Sequence, residues 1–289
     1  MTVGIGMIIP PKIRAAGMET VTSWAREVGL DALDLPADYA AGAQACGAAG
    51  LRIGTVEGKG VGRLLSEDGA TRGQAVAEIV EQVRAMPAVG ARVLFVCLVP
   101  EHRGQPIARS LELFTESFKP VATACEEAGV RVAFEGWPGP GPHYATLGYT
   151  PEQWRAMFAA VPSPALGLCF DASHLVRLGI DYLRVLEEFG PRINHCHGKD
   201  TEMLPEARYL YGMMAPALGT SPAFSEGYWR YCVPGDGVVD WAAIAYGLER
   251  FNYQGCVSIE LEDARYWGSL EKEQQGIRKA FATLARHFR

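Results

Sequence analysis

The sequence has few of the features that mark secreted, membrane or nucleic-acid-binding proteins. Its seven cysteines are scattered and include no C-x-x-C pair, which favours reduced thiols over a disulfide framework. The apolar run VLFVCLV is too short to cross a bilayer, and MTVGIGMIIPPK at the N-terminus lacks a basic n-region and a cleavage site. The formal net charge of −6 disfavours binding to phosphate backbones. We therefore expect a cytoplasmic protein with no nucleic-acid or membrane partner.

A dinucleotide-binding fingerprint and an internal domain boundary are also missing. The first apolar segment, residues 3–9, contains only G-x-G and is followed by two prolines. No repeat, low-complexity tract or linker divides the 289 residues, and 48% of them are hydrophobic, which is ample for one large core. The sequence therefore predicts a single domain over residues 1–289.

Short apolar segments alternate with helical patterns along the whole chain. The eight segments that resemble strands are 3–9, 32–35, 52–56, 92–98, 131–135, 165–171, 193–197 and 256–260. The helical patterns that follow them cover 18–28, 39–49, 71–86, 108–128, 151–160, 173–189, 240–251 and 269–287. This order predicts a parallel α/β fold, with a (β/α)₈ TIM barrel as the first choice and a doubly wound open sheet as the alternative.

One connection is much longer than the others. Residues 198–239 separate the seventh strand from the next helix and are rich in aromatic residues, as in RYLYGMM and GYWRY. Ordinary connections have roughly 4 to 6 residues, and flexible spacers contain few aromatics. We expect this insertion, with a helix-like part at 201–229, to be a lid that closes over a substrate.

Four consecutive predicted strands end in side chains that can bind a metal. They are Glu135, Asp171, His197 and Glu260. Strand alternation puts each on the face that carries the small residues, and the carboxyl ends of barrel strands meet at one mouth. Three adjacent carboxylates repel one another, and a divalent cation removes that repulsion. Singly, each residue could be a solvated acid or a structural histidine; together they favour a site for Mn²⁺, Mg²⁺ or Co²⁺, with Zn²⁺ as a further option.

The motifs around these residues resemble the sugar phosphate isomerase/epimerase superfamily, also called the xylose isomerase-like TIM barrels. FEGWP, FDASH, HCHGKD, VPGDGVVDW and YQGCVSIELED carry the resemblance in the C-terminal half, and the N-terminal half matches only in its strand–helix rhythm. The resemblance implies that Glu135, Asp171, His197 and Glu260 bind one divalent metal ion, with Mn²⁺ expected first. It also implies that Glu135 and Glu260 are the catalytic acid and base.

The resemblance further implies a set of substrate-binding residues. His174 follows Asp171 by three positions and is similar to a histidine that contacts substrate oxygens; it could instead be a helix-start residue. Arg230 resembles an arginine that binds a substrate hydroxyl, although the long insertion precedes it. Lys199 belongs to an H-x-K-D stretch and could also be a surface charge. Trp137 could stack on a sugar or simply pack in the protein.

Several other features have plain structural explanations. Asp200 could complete the H-x-K-D stretch or cap a turn, and Glu262 and Asp263 are typical of a solvated acidic pair. The segment EGKGVGR at 57–63 lacks the spacing of a phosphate loop, which favours a simple turn. Cys196 should face the outer helices as a packed thiol.

The resemblance implies a metal-dependent isomerase or epimerase that acts on a ketose or keto-sugar through an enediolate. A dehydratase or lyase acting on a keto-inositol, dehydroshikimate or 3-keto-glycoside is the alternative, and a non-catalytic sugar-binding protein ranks third. A nuclease similar to endonuclease IV is disfavoured, because it needs several metals and more than the six histidines present. The sequence leaves open the sugar, its phosphorylation, the native metal and whether the protein is a homo-oligomer.

Overall fold

Eight parallel strands close into a barrel whose first strand pairs with both the second and the last. The structure is a computed structural model that describes residues 3–141 and 143–289. The barrel strands are β1 (Gly4–Ile8), β2 (Ala32–Leu35), β3 (Arg52–Glu57), β4 (Val93–Val96), β5 (Arg131–Glu135), β6 (Leu166–Phe170), β7 (Ile193–Gly198) and β10 (Cys256–Ile259). The predicted TIM barrel is confirmed, and the alternative of a doubly wound open sheet is wrong.

Helices follow the strands and surround the barrel. In the described residues they are α1 (Pro11–Arg14), α2 (Met18–Val28), α3 (Ala40–Ala49), α4 (Gly69–Ala85), α5 (Ile107–Ala128), α6 (Pro151–Ala160), α7 (Ala172–Leu178), α8 (Tyr182–Phe189), α9 (Pro205–Tyr211), α10 (Trp241–Arg250) and α11 (Leu270–Phe288). Asp68, Thr150 and Asp240 cap α4, α6 and α10, because each side chain accepts a hydrogen bond from a free N–H of the first turn. None of these helices combines the length and the apolar character needed to cross a membrane.

The pattern at 173–189 forms two helices, where the sequence predicts one. Gly179 ends α7 with φ of 71°, a left-handed conformation that glycine adopts without a Cβ clash. Asp181 then starts α8 by accepting hydrogen bonds from the N–H groups of Leu183 and Arg184. The break leaves α7 as a short helix directly after β6, with His174 in its first turn.

The strands bury their large residues outward and keep their inner face for small and polar ones. On β5, Phe134 packs against Phe114 and Phe118 of α5, with ring centroids 5.7 and 5.1 Å apart. Because successive side chains of a strand point to opposite faces, Glu135 projects into the barrel. On the neighbouring β6, a Cβ at Gly167 would lie 2.1 Å from the carbonyl oxygen of Arg192, so that position has no room for a side chain.

The 198–239 insertion is folded rather than a plain loop. It contains α9 and an antiparallel pair of strands, β8 (Asp200–Met203) and β9 (Trp229–Cys232). Tyr228, Trp229 and Tyr231 form a small apolar cluster of their own beside the main core. Asp200 accepts hydrogen bonds from the backbone N–H groups of Thr201, Gly235 and Val239 and from Trp241 Nε1. These contacts give Asp200 the turn-capping role that the sequence left as an option, at the base of the insertion.

Candidate metal centre at the barrel mouth

The four predicted metal ligands converge at the carboxyl end of the barrel. Glu135 ends β5, Asp171 follows β6, His197 lies near the end of β7 and Glu260 follows β10. From His197 Nδ1, the distance is 3.0 Å to Glu135 Oε2, 3.2 Å to Glu260 Oε2 and 3.9 Å to Asp171 Oδ2. We call these four residues the four-ligand cluster. They are neighbours in space because consecutive barrel strands deliver them to one mouth.

The donor atoms of this cluster face one another without forming good hydrogen bonds. Both oxygens of Glu135, Oδ2 of Asp171 and both ring nitrogens of His197 are buried and have no hydrogen-bond partner among the described residues. Buried polar atoms in folded proteins are nearly always satisfied, so several such atoms in one place call for an ion. Three carboxylates and one imidazole are a donor set suited to a hard or borderline divalent cation, and the residues present therefore fit a metal.

The electrostatics of the cluster keep Glu135 and Glu260 ionised. Burial alone would raise the pKa of Glu135, but the charge of His197 and the proximity of His174 hold it well below its usual range. Burial acts in the same way on Glu260, and the charges of Lys199 and His197 lower its pKa to about 2. Ionised carboxylates are the form that binds a metal and that accepts a proton.

Lys199 is the buried cation of the site. Its side chain is 1% exposed, and Nζ lies 3.2 Å from Asp171 Oδ2, 2.5 Å from Glu260 Oε2 and 2.9 Å from Glu262 Oε2. Burial opposes the ammonium charge, but the surrounding carboxylates raise the pKa of Lys199 well above its usual value. The option of Lys199 as a surface charge is therefore wrong, and so is the interpretation of Glu262 as a solvated acid.

His174 is held beside the cluster by a chain of polar contacts that the sequence did not reveal. Its Nε2 lies 2.8 Å from Glu135 Oε1, and its Nδ1 lies 2.6 Å from the hydroxyl of Tyr231. Arg177 donates a hydrogen bond of 2.8 Å to the same hydroxyl, so the hydroxyl hydrogen is free to go to His174 Nδ1. The Nε2 atom also lies 3.4 Å from Lys199 Nζ, so it stands between a carboxylate and an ammonium. Arg177 lies three residues after His174, a helical spacing that could have signalled the pair.

Among the described residues, no hydrogen bond or ion pair joins the other two predicted substrate-binding residues, Arg230 and Trp137, to this cluster. Arg230 bonds to Glu202 across the β8–β9 pair, with Nε donating to Oε2 over 2.7 Å. Alternation along β9 turns the next residue, Tyr231, toward His174 instead. Trp137 is partly exposed two residues beyond Glu135. Substrate contacts by Arg230 and Trp137 stay predictions.

The N-terminal half contributes most of a cavity next to the metal ligands. The cavity has a volume of about 220 Å³, and its lining includes His197 and Glu260. Arg14, Glu57 and Phe95 belong to the same lining, and the rings of Phe95 and His197 have centroids 5.5 Å apart. The sequence did not indicate that Arg14, Glu57 and Phe95 belong to this site, because they come close to the cluster only when the barrel closes.

The remaining sequence interpretations are settled by local contacts. Asp263 is 1% exposed and binds Arg265, so it is not a solvated acid. The 57–63 segment is a turn fastened to α4, since Lys59 N–H and Glu57 C=O both bond to the side chain of Gln82. Cys196 packs within the hydrophobic core, as predicted.

A family model and several curated proteins match this chain. The family model "Xylose isomerase-like TIM barrel" matches residues 11–287. The chain is 30% identical over 149 residues to the uncharacterized protein YfiH of Bacillus subtilis, covering 50% of this chain and 45% of YfiH. It is 24% identical over 151 residues to an inosose dehydratase of Clostridium beijerinckii, covering 52% and 47%. The matches thus span about half the length of these curated relatives.

Solved structures share the fold over nearly the whole chain. A D-psicose 3-epimerase solved in the presence of D-fructose superposes with a TM-score of 0.73 at 16% identity, over 99% of both chains. The 3-keto-D-glucoside 4-epimerase YcjR from E. coli superposes with a TM-score of 0.71 at 16% identity, over 98% of this chain and 99% of that one. Similarity at this level of identity shows a common fold. With the match over residues 11–287, the chain belongs to the xylose isomerase-like TIM barrel family.

Proposed function

We propose that the protein is a divalent-metal-dependent isomerase or epimerase of a ketose or keto-sugar derivative. The observation that carries this proposal is the four-ligand cluster, in which buried donor atoms of Glu135, Asp171 and His197 face one another without hydrogen-bond partners among the described residues, and Glu260 completes the group. The epimerase structures that share the fold add support at the level of architecture. We take Mn²⁺ as the first candidate for the metal and small-molecule sugars as the substrates.

Glu135, Asp171, His197 and Glu260 would hold the cation. A divalent cation in such a site supplies Lewis-acid stabilisation of the negative charge that develops on substrate oxygens when the carbon next to a carbonyl loses its proton. The family resemblance assigns two of these residues, Glu135 and Glu260, to proton transfer as well, and their positions beside His197 support that assignment.

The two glutamates would act from different sides of the substrate. One carboxylate removes the proton from the carbon beside the carbonyl, which leaves an enediolate, and the other glutamate, after taking up a proton from water, delivers it to the opposite face. Return to the same carbon inverts that centre, whereas return to the neighbouring carbon interconverts ketose and aldose. His174, whose Nε2 lies 2.8 Å from Glu135 Oε1, would form a hydrogen bond with a substrate oxygen at this mouth.

Glu135→Gln and Glu260→Gln test this assignment. Each replacement keeps the shape of the side chain but removes the negative charge, so we expect turnover to fall below detection while the circular dichroism spectrum is unchanged. Glu187→Gln is the matched control, because Glu187 is 59% exposed and pairs only with Arg250 at the surface. Near-normal turnover in both cluster variants would refute the assignment.

A dehydratase is the second candidate, favoured by the inosose dehydratase relatives. Removal of the same proton followed by loss of a β-hydroxyl as water gives an unsaturated ketone, and the leaving oxygen then needs a proton. Lys199 and Glu262, 2.9 Å apart beside the cluster, are the groups in place to provide it. The alternative therefore uses the same base and a different proton donor.

One assay separates the two reactions. The metal-free protein is loaded with Mn²⁺, Co²⁺ or Mg²⁺ and incubated in D₂O with ketoses, keto-inositols and 3-keto-glycosides. A product that is an isomer of the substrate and carries deuterium on carbon indicates isomerisation or epimerisation. An unsaturated product that is lighter by one water indicates dehydration. Binding of a sugar without exchange or conversion across the panel would favour a sugar-binding protein instead.

A further inference from the structure

A second group of metal-competent side chains lies inside the barrel. Asp34 of β2, His195 of β7 and Cys256 of β10, which we call the inner cluster, each offer a donor atom, and these atoms lie within 4.8 Å of one another. The three residues are only 6%, 1% and 3% exposed. The rings of His195 and His197 have centroids 5.4 Å apart, so the inner cluster is adjacent to the four-ligand cluster but shares no residue with it.

We propose that the inner cluster is a second metal site, suited to Zn²⁺ or another borderline-soft divalent cation. Its donors are a carboxylate, an imidazole and a thiol, and a thiolate favours Zn²⁺ over Mn²⁺ or Mg²⁺. The charges of Asp34 and of the Cys256 thiolate together balance those of the cation. Three protein donors leave the fourth tetrahedral position for a water molecule, as in zinc sites that keep an open position.

The hydrogen bonding of Asp34 is incomplete in the direction that a metal would occupy. Asp34 Oδ2 lies 3.0 Å from His195 Nε2, which accounts for one oxygen. The other oxygen, Oδ1, is buried and has no hydrogen-bond partner among the described residues. The ion pair with His195 therefore leaves the buried Oδ1 atom of Asp34 without a hydrogen bond. A cation bound between the donors would supply the missing partner.

Gly54 of β3 leaves open the space beside these donors. A Cβ at this position would lie 2.1 Å from Asp34 Oδ1 and 3.2 Å from Cys256 Sγ. Any other residue would therefore push against both donors and fill the space between them. The contact of the thiol with Ser258 Oγ, at 3.6 Å, is weak and leaves the sulfur able to bind a metal.

Two cavities reach the inner cluster from opposite ends of the barrel. Asp34 lines the 220 Å³ cavity at the mouth, while His195 and Cys256 line a cavity of about 500 Å³ at the amino ends of the strands. The lining of the larger cavity includes three arginines, Arg52, Arg92 and Arg131. Their charges repel cations, whereas the mouth cavity combines one arginine, Arg14, with the carboxylates of Asp34, Glu57 and Glu260, so a metal would enter from the mouth, past Asp34.

Cobalt and zinc titrations of the full chain test this site. Co²⁺ added to the metal-free protein should give a thiolate-to-cobalt charge-transfer absorption in the near ultraviolet, and equilibrium dialysis should find two bound Zn²⁺ per chain. Cys256→Ser should lose the absorption and one of the two equivalents. Cys169→Ser is the matched control, because the Cys169 thiol lies beside Glu135 and His197 instead, and it should keep both signals.

Two further variants keep the test decisive if Cys256→Ser fails to fold. Gly54→Ala removes no donor but fills the space between them, and it should also lose the absorption and one equivalent. Glu260→Gln weakens the four-ligand cluster and should keep the absorption. One Zn²⁺ per wild-type chain, or an absorption that survives Cys256→Ser and disappears in Cys169→Ser, would overturn the proposal and leave Asp34 and His195 as an ion pair only.

Discussion

Replacement of Lys199 by methionine should destabilise the metal-free protein and strengthen its binding of a metal. Among the described residues, the ammonium is the one lysine charge within the carboxylate group formed by Asp171, Glu260 and Glu262, at 3.2, 2.5 and 2.9 Å. Methionine has a similar length and fills the same buried space, but it leaves these carboxylates without their cation. The variant therefore isolates the charge of Lys199 from its packing.

The magnitude follows from the burial of the ammonium. Removing one partner of a buried ion pair costs about 3–5 kcal/mol of the free energy of unfolding. At about 2 °C per kcal/mol, the low end expected for a large domain, the melting temperature should fall by roughly 6–10 °C without metal. A bound divalent cation compensates Asp171 and Glu260 in place of the ammonium, so saturating Mn²⁺ should recover about 2 kcal/mol of the loss. By linkage, Mn²⁺ should then bind roughly thirtyfold more tightly to the variant.

Differential scanning calorimetry with EDTA or with Mn²⁺, together with calorimetric titration of Mn²⁺, measures these quantities. Lys279→Met is the control, because Lys279 is 41% exposed in its pair with Asp236, and such surface pairs contribute about 0–1 kcal/mol. An equal loss of stability for Lys199→Met with and without Mn²⁺, or a loss no larger than that of the control, would refute the assignment of Lys199 as the counter-charge of the metal site.

Two more expectations concern the insertion and its contacts. Tyr231→Phe removes the hydroxyl bound to His174 and should lower kcat/KM roughly 5- to 150-fold, the equivalent of one buried hydrogen bond of about 1–3 kcal/mol. Tyr228→Phe is the control and should change kcat/KM far less, because among the described residues the Tyr228 hydroxyl bonds only to the Arg177 carbonyl. Equal effects of the two replacements would argue against positioning of His174 by Tyr231. Replacing the exposed segment 212–220 by a Gly-Ser linker should raise KM in steady-state kinetics if the insertion is a lid. The control Tyr246→Ser changes an exposed residue of α10 and should leave KM unchanged. An unchanged KM in the linker variant would contradict the lid.

Much of the candidate metal centre was accessible from the sequence because it depends on local periodicity. Alternation along a strand decides which side chains face inward, and in parallel barrels the carboxyl ends share one mouth. For that reason Glu135, Asp171, His197 and Glu260 could be grouped although 125 positions separate the first from the last. The break in the helix after Gly179 was missed, since a glycine inside a helical pattern signals a cap only weakly.

The sequence by itself determined the order of strands and helices, the inward register of each strand and hence the grouping of the four candidate ligands. Only the tertiary structure decided which polar groups surround that set. Lys199 and Glu262 appear as ordinary charges in the chain, and the pairing of β8 with β9 turns Tyr231, not Arg230, toward His174. Contacts between residues far apart in sequence depend on how the barrel closes and how the insertion folds back. No local pattern carries that information, because burial and ion pairing are properties of the packed molecule.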